Sequence, residues 1–581
     1  EGVIVGSVQS GMPEHTHQTC TEVRLPALTL ENPQLWSCES PQLYNAEVVV
    51  TADGMVVDSL TEQFGIRSLE FSPEFGFKLN GKKIFLQGNA NHHDLGALGA
   101  TCYDKAIERM MLQLKSFGYN CIRCSHNPYS DSFARIADRV GILVVDELTD
   151  KWSDNDYWGG RQPFTHIWHK LITEWIKRDR NRPSIILWSL GNELQIREGW
   201  AGFEGTNDWG ITTYNIFNQL VKRWDHTRLT TVAMFPARAG AITRHDKEFN
   251  DYLVPPELAC ATEVASFNYQ SDKYDAYLKY RPDLILFQSE AETSNLLQPY
   301  YNMDKERMVG IAYWGSVEYW GESNKWPKKG WNYSFFEHTM RPYPQAYLIK
   351  TAFMPEIPEV HIGVVDAAGA ESVSWNDVIV GRMALNECWN HTPGSRRSLF
   401  TFTNAHSVEL LVNGQSMGIQ KNDTTRANLR NMIYWKDVPY GNGGSVVAIA
   451  RDKSGKEVAR HRIETAGKAV ALRIEAETPT DWKADGMDLQ YINVTVIDKK
   501  GRPVWDYNEP LTLQMEGAAR LVALDNGDHY TDELFHGITS KRMYQGRMQI
   551  ILRSDQEAGN VTVKISSAGL KGTLRLKTIK E

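Results

Sequence analysis

From the amino terminus to about Arg67, apolar and polar residues alternate in short stretches, as in Tyr44 to Val50 and Met55 to Leu60, with Asp53-Gly54 between them. A period of two marks half-buried strands, and Asp-Gly between two such runs predicts a hairpin turn. Residues 1–70 therefore read as a small β-sandwich. From Lys82 the rhythm changes to short apolar runs separated by helical stretches, the pattern of parallel βα units. The runs are Ile84 to Gly88, Cys121 to Ser125, Leu143 to Glu147, Ile185 to Leu190, Thr230 to Met234, Val264 to Tyr269, Leu284 to Ser289 and Gly310 to Trp314. Between the first two, Ile107, Met110, Met111 and Leu114 recur at helical spacing, behind Asp104 as a candidate N-cap and ahead of Gly118 as a stop. Eight such units predict a (βα)8 barrel over residues 71–355, close to the usual size of about 250 residues.

Beyond Pro355 the helical period disappears. Phe400 to Leu411 and Ser445 to Ala450 predict strands of a second sandwich over 356–467, with Gly441-Asn442-Gly443-Gly444 as a hairpin tip. Tyr491 to Ile497 and Val561 to Ile565 predict a third β-sandwich over 468–581. The fold class is thus multidomain, α/β plus all-β: a TIM barrel flanked by β-sandwiches.

A chain of 581 residues exceeds what one core supports, in keeping with several domains. Its 63 basic and 71 acidic residues give a net charge of -8 and no cationic field, so neither nucleic acid nor a membrane surface is expected as a partner. No apolar run reaches membrane-spanning length, and the first thirty residues lack the pattern of a signal peptide. The opening at Glu1 without Met reads as a piece of a longer parent, for which secretion or a periplasmic location is the expectation. Seven scattered cysteines make no disulfide framework. Cys121 and Cys124 stand three apart in a predicted strand and face opposite sides, which argues against a metal or redox pair. The 18 Trp and 24 Tyr are generous and suit sugar stacking, although most belong in cores. Nothing in the pattern sets an oligomeric state.

Barrel enzymes place their chemistry at the carboxyl ends of the strands. The fourth run leads through Trp188-Ser189-Leu190-Gly191-Asn192 to Glu193, and the seventh through Phe287-Gln288-Ser289 to Glu290. Glycoside hydrolysis needs such a pair: one protonated carboxyl for the leaving oxygen, and one carboxylate, about 5–5.5 Å away in retaining enzymes, to attack the anomeric carbon. Spacing alone leaves solvated loop glutamates as an equal reading.

Phe64-Gly65-Ile66-Arg67, Asn80-Gly81-Lys82, Gly88 to Asp94, Ile122 to Pro128, Val144-Val145-Asp146-Glu147, Arg178 to Ser184 and Trp188 to Glu193 together resemble glycoside hydrolase family two, as do Leu35-Trp36 and Pro41 to Tyr44 ahead of them. The resemblance implies immunoglobulin-like sandwiches around the barrel, with Glu193 as acid/base and Glu290 as nucleophile. It implies that Arg123 keeps Glu290 ionised, that Tyr269 orients it, and that Asn192 donates to the sugar 2-OH. His92 and His126 are expected to bind sugar hydroxyls, and Trp314 to form a hydrophobic floor. A His92-His93-Asp94 metal cluster is the competing reading, disfavoured because adjacent residues rarely converge on one ion. Some family members hold magnesium just beyond the third strand through a Glu and a His, which Leu148 to Ser153 lacks. No cofactor and no metal are expected.

Trp320, Glu322 and Trp326 resemble the family's β-galactosidases, whereas the Asn-x-Lys clamp of its β-glucuronidases would fall at Pro327-Lys328-Lys329, without the Asn. Trp152, Glu292 and Lys325 are candidates for the pocket's border. The resemblance implies a retaining exo-β-glycosidase acting on an oligosaccharide or a polysaccharide-derived β-glycoside, with β-galactosides favoured. The alternatives are a β-glucuronidase, another β-glycosidase of the family, or a non-catalytic carbohydrate-binding protein. The family's usual leading sugar-binding jelly-roll is not recognisable, which again points to a longer parent.

Overall fold

The computed structural model describes residues 2–11, 23–152, 164–194, 210–235, 254–294, 297–323, 325–366, 371–375 and 378–580. Its centre is a closed barrel of eight parallel strands: Leu86–Asn91, Cys121–Cys124, Leu143–Glu147, Ile185–Asn192, Leu229–Met234, Val264–Asn268, Leu286–Ala291 and Gly310–Trp314. These strands are buried on both faces, so they read in the sequence as nearly unbroken apolar runs. The first, fourth and seventh extend beyond the expected ends, which brings Asn91, Asn192 and Glu290 into the sheet itself. Inside the barrel lie Leu86, Ala90, Cys121, Leu143, Val145, Val264, Phe287 and Ala312; Cys124 instead packs outward among the helices, opposite Cys121. The first helix spans Asp104–Ser116 and buries the expected stripe of Ile107, Met110, Met111 and Leu114. Asp104 is its first residue rather than its cap, which is Tyr103.

The amino-terminal segment departs from expectation. Among its described residues a single hairpin forms, Tyr44–Ala52 with Met55–Phe64, turning where Asp53 and Gly54 both adopt positive φ. A sandwich needs a second sheet over the apolar face, and here Val48, Val49, Met55, Val56, Val57 and Leu60 are exposed. The segment instead anchors the barrel's amino-terminal end. Trp36 is fully buried in the interior cluster and donates to the Asp138 carbonyl (2.7 Å), while Arg67 donates to the carbonyls of Pro183 (2.8 Å) and Ile185 (3.1 Å).

After the last barrel helix, Ala346–Phe353, two four-stranded antiparallel sheets enclose Ile362, Leu399, Leu410, Trp435 and Ala448, and two more enclose Val494, Leu513, Ile550 and Val563. Gly441 to Gly444 joins Met432–Pro439 to Ser445–Arg451, which lie in different sheets; it is a crossing between layers and not a hairpin tip. The last sandwich packs on the barrel's first βα connection: Leu489, Tyr491, Ala523 and Ile551 cluster with Ala97, Leu98 and Ala106, and Arg109 forks onto Glu477 at 2.7 and 2.9 Å. Among the described residues no helix is long and apolar enough to cross a membrane.

The barrel closes where the eighth strand pairs with the first, Gly310 opposite Leu86. A methyl group on Gly310 would stand 2.4 Å from both the Cβ and the carbonyl oxygen of Leu86, so the strands must part to admit it. Gly310→Ala is expected to destabilise the barrel by roughly 1–3 kcal/mol, read from denaturant midpoints. A variant as stable as the parent chain would contradict this closure.

Candidate active site

At the carboxyl end of the barrel a single guanidinium collects the strand termini. Arg123, on the second strand and fully buried, donates from Nη1 to Glu290 Oε1 (2.7 Å), from Nη2 and Nε to Glu147 Oε2 (2.7 and 3.1 Å), and from Nη2 to Asn192 Oδ1 (3.0 Å). The second, third, fourth and seventh strands thus meet at one charge. Ser189 donates to the same oxygen of Glu147 at 2.6 Å. Asn268, ending the sixth strand, donates to Asn192 Oδ1 (2.9 Å) and Glu193 Oε1 (3.2 Å), and itself accepts from Ser289 (2.8 Å). The two glutamates are therefore linked through amide side chains as well as through the sheet.

Glu193 and Tyr269 each follow the last residue of a strand, and both have left-handed backbones, with φ of 49° and 58°. Each conformation costs about 1–3 kcal/mol for a residue with a side chain. The next strand holds it in place: Glu193 N donates to the Ala233 carbonyl (2.6 Å) and Tyr269 N to the Glu290 carbonyl (2.8 Å). Register shifts at Thr231/Ala233, Phe267/Asn268 and Gln288/Ala291 fall at the same end of the barrel, where an extra residue re-aims side chains.

Burial pushes the Glu290 carboxyl up to about 7, with the neighbouring Glu193 adding to the rise while Arg123 and the Tyr269 hydroxyl oppose it. Burial also drives His126 well below the ordinary imidazole range, hence neutral. Its Nδ1 lies 2.7 Å from Glu147 Oε1 and its Nε2 3.3 Å from Asn192 Nδ2, an arrangement satisfied by a proton on Nδ1. Asn192 Nδ2 also donates to Asp150 (3.0 Å), and the Lys151 ammonium rests against Asp150 (2.5 Å) and the Asn192 carbonyl (3.0 Å). A built-in cation thus occupies the edge beyond the third strand.

The chain matches the family model described as glycosyl hydrolases family 2, TIM barrel domain, over residues 74–305. A second family 2 model matches residues 2–67, family 2 C-terminal domain 5 matches 472–574, and a domain of unknown function matches 394–459. The chain belongs to glycoside hydrolase family 2. A β-galactosidase of Bacteroides ovatus is 27% identical over 94% of this chain and 67% of its own length. A Formosa agariphila protein provisionally named a β-glucuronidase is 42% identical over 97% of this chain and 55% of its own. The chain therefore spans little more than half of the latter. A solved family 2 member from Bacteroides cellulosilyticus superposes with a TM-score of 0.80 at 29% identity, over 94% of this chain and 69% of that one.

In this family 2 barrel the remaining candidates separate into two groups. His92 stands by the centre, edge-on to Trp314 (5.0 Å) and Tyr319 (4.9 Å), with Nε2 3.6 Å from Glu322. Burial lowers its proton affinity, but the Glu322 carboxylate outweighs this and the net shift is upward. Tyr319 also donates to Glu322, so Glu322 is fixed at the rim. Trp314 is only 3% exposed and stacks flat on His126 at 5.3 Å, backing the histidines rather than offering a free face.

Others point elsewhere. Trp320 lies against His338, His529 and Phe535 and donates to the Gly96 carbonyl, so it joins the barrel to the last sandwich. Trp152 is buried against Phe217 and donates to the Leu190 carbonyl (2.7 Å), supporting the fourth strand from behind. Trp326 is exposed, with Lys329 above its ring, and Lys325 approaches Tyr530. Glu292 lines a cavity beside Tyr269. His93 stacks on Tyr129 and Asp94 accepts from the Gly96 and Trp320 amides, so neither converges with His92 on an ion. Glu147 and Asn268, which sequence reasoning gave no role, are central; both end barrel strands, the same signal that exposed Glu193 and Glu290.

Because the folded chain holds the Glu290 proton more tightly than the unfolded chain, ionising it costs stability as pH rises from 4.5 to about 7, and the cost is complete above that. Glu290→Gln removes the titration while Arg123 keeps Glu147. It is expected to stabilise the chain at about pH 8 by something on the order of 1–3 kcal/mol, and by much less at about pH 5. Equal shifts of the thermal midpoint at both pH values would contradict a raised Glu290.

Proposed function

We propose that this chain carries the catalytic centre of a retaining exo-β-glycosidase, with Glu290 as nucleophile and Glu193 as acid/base. The observation that carries the proposal is the asymmetry of the two carboxyls. Glu290 is gripped by the Arg123 guanidinium at 2.7 Å and by the Tyr269 hydroxyl, both of which favour the anion needed of a nucleophile, and Glu193 follows the fourth strand with Oε1 accepting from Asn268. In the first step Glu290 attacks the anomeric carbon as Glu193 passes its proton to the departing glycosidic oxygen. Esterification then removes the charge on Glu290, and Glu193 accepts a proton from the water that attacks the glycosyl-enzyme. That attack restores Glu290 and the β-configuration. A carbohydrate-binding scaffold has no use for this division of charge.

For the sugar we propose a terminal β-galactoside. The Trp-Gly-Glu and Trp-Pro segments and the missing Asn at Pro327 support this reading, as does the name of the Bacteroides ovatus relative. Glu322, partly exposed beside His92, adds a negative charge at the rim that disfavours an anionic uronide. The more similar Formosa relative carries a glucuronidase name, so the two sugars are to be compared directly.

The test uses the longest available form of the parent. Glu193→Ala should lose roughly 10²–10⁴-fold on unactivated glycosides yet accumulate glycosyl-enzyme on an activated aryl glycoside, with azide restoring turnover to give the β-glycosyl azide. Glu290→Ala with azide should give only the α-product. Labelling by a 2-fluoro-glycoside on a residue other than Glu290, or an α-azide from Glu193→Ala, would overturn the roles. Faster cleavage of an aryl β-glucuronide than of the β-galactoside would overturn the sugar alone.

A further inference from the structure

Away from the proposed dyad, the barrel and the last sandwich meet in a dry cluster of donors. Glu318 follows the eighth strand, His338 lies on the segment returning to the last barrel helix, and His529 comes from the sandwich; all three are buried. One ligand atom from each lies within 4.8 Å of the other two. Glu318 Oε2 is 3.0 Å from His338 Nδ1 and 3.4 Å from His529 Nδ1. Ligand atoms of one tetrahedral zinc ion, bonded at about 2.0–2.1 Å, stand about 3.3 Å apart. The two separations from Glu318 match that spacing, and the two histidine nitrogens lie within 4.8 Å of each other.

The surroundings are built to match. His338 Nε2 is 3.0 Å from Asp525 Oδ1, which can accept its N–H, so that Nδ1, 3.0 Å from Glu318 Oε2, is the nitrogen placed to bind an ion. Tyr343 donates to the other oxygen of Glu318 at 2.7 Å. Carboxylates behind histidine ligands, and donors behind carboxylate ligands, are the outer contacts that orient a metal site. The main-chain amide of His338 also reaches Glu318 Oε2, at 3.2 Å, and adds to its fixation. The decisive group is His529. It is 4% exposed, its Nδ1 has only the long 3.4 Å approach to Glu318 Oε2, and its Nε2 makes no hydrogen bond. A buried polar group left so costs about 1–3 kcal/mol, a cost that a metal bond removes.

We propose that Glu318, His338 and His529 bind one Zn²⁺ ion, leaving one tetrahedral position for water. Imidazole and carboxylate donors suit zinc among the divalent ions. Such an ion clamps the barrel to the last sandwich beside the rim. The Trp320 ring lies 5.2 Å from that of His529 and 4.5 Å from that of His338, and two residues further Glu322 reaches His92. The site is structural and stands apart from the proposed chemistry.

The full chain is stripped with a chelator and titrated with Zn²⁺ against a chromophoric competitor, and the loaded protein is measured by X-ray absorption. The expected result is one tight ion per chain, a shell of nitrogen and oxygen at about 2.0–2.1 Å containing two imidazoles, and a higher thermal midpoint. His529→Gln leaves both His338 contacts intact and should weaken binding ~100-fold or more with unchanged circular dichroism. Asp525→Asn should weaken it ~10–100-fold. His461→Gln tests the second histidine cluster, with His361 and Glu387, and should leave the tight site unaltered. Binding no tighter in the parent chain than in His529→Gln, or a shell without imidazole, overturns the proposal and leaves an ion-pair network. Should His529→Gln fail to fold, the imidazole count in the parent chain decides.

Discussion

Arg123 carries a full positive charge at a position with no solvent exposure, and an uncompensated charge there would cost more than a domain's whole stability. A carboxylate must therefore come to it, and two do, from different strands, Glu147 on the third and Glu290 on the seventh. Glu147 answers with both oxygens committed, one to Arg123 and Ser189 and the other to His126. That leaves Glu290, held at only one oxygen by the guanidinium, as the carboxylate with capacity to spare. The ion triad so divides into a structural half and a half open to chemistry. One guanidinium faces two carboxylates, so with both ionised the triad carries an excess negative charge, in keeping with the raised proton affinity of Glu290, while loss of Arg123 would strand both carboxylates.

The strand ends pay for this convergence in local conformation. Straight parallel strands would direct neighbouring side chains alternately into the barrel and outward. Bulges on the fourth and seventh strands, and the left-handed turns at Glu193 and Tyr269, redirect the terminal residues at this end of the barrel. Their cost is borne by ladder hydrogen bonds to the adjacent strand and by the closed barrel, whose last seam admits no side chain at Gly310.

Much of this was legible in the sequence because the barrel strands are buried on both sides and stand out as apolar runs, and because a carboxylate directly after such a run has few places to go. The same rule applied to Val144-Val145-Asp146-Glu147 and to Phe267-Asn268 would have found the Arg123 and Asn192 partners. Aromatic residues misled for a physical reason: Trp152 and Trp320 are as apolar as any sugar platform, and only the three-dimensional packing shows that one props up a strand and the other faces a second domain. Alternation correctly placed the strands of the first hairpin, yet it carries no information on whether a second sheet covers them. Glu318, His338 and His529 were invisible for a different reason, since their meeting depends on how two domains dock.

That docking gives the two parts of the site different physical footing. Among the described residues the centre is set by charges on the barrel strands themselves. The rim depends on the last sandwich: Trp320 is packed against His529 and Phe535, its amide is held by Asp94, and Glu322 follows on the same turn, where its carboxylate meets His92. Loosening the sandwich would leave Arg123, Glu147 and Glu290 in place while freeing the residues around the mouth. The buried charges and the rim are thus physically separable in this architecture. The fold can change its rim through the attached β-domain without disturbing the buried charges on which the barrel's own integrity rests.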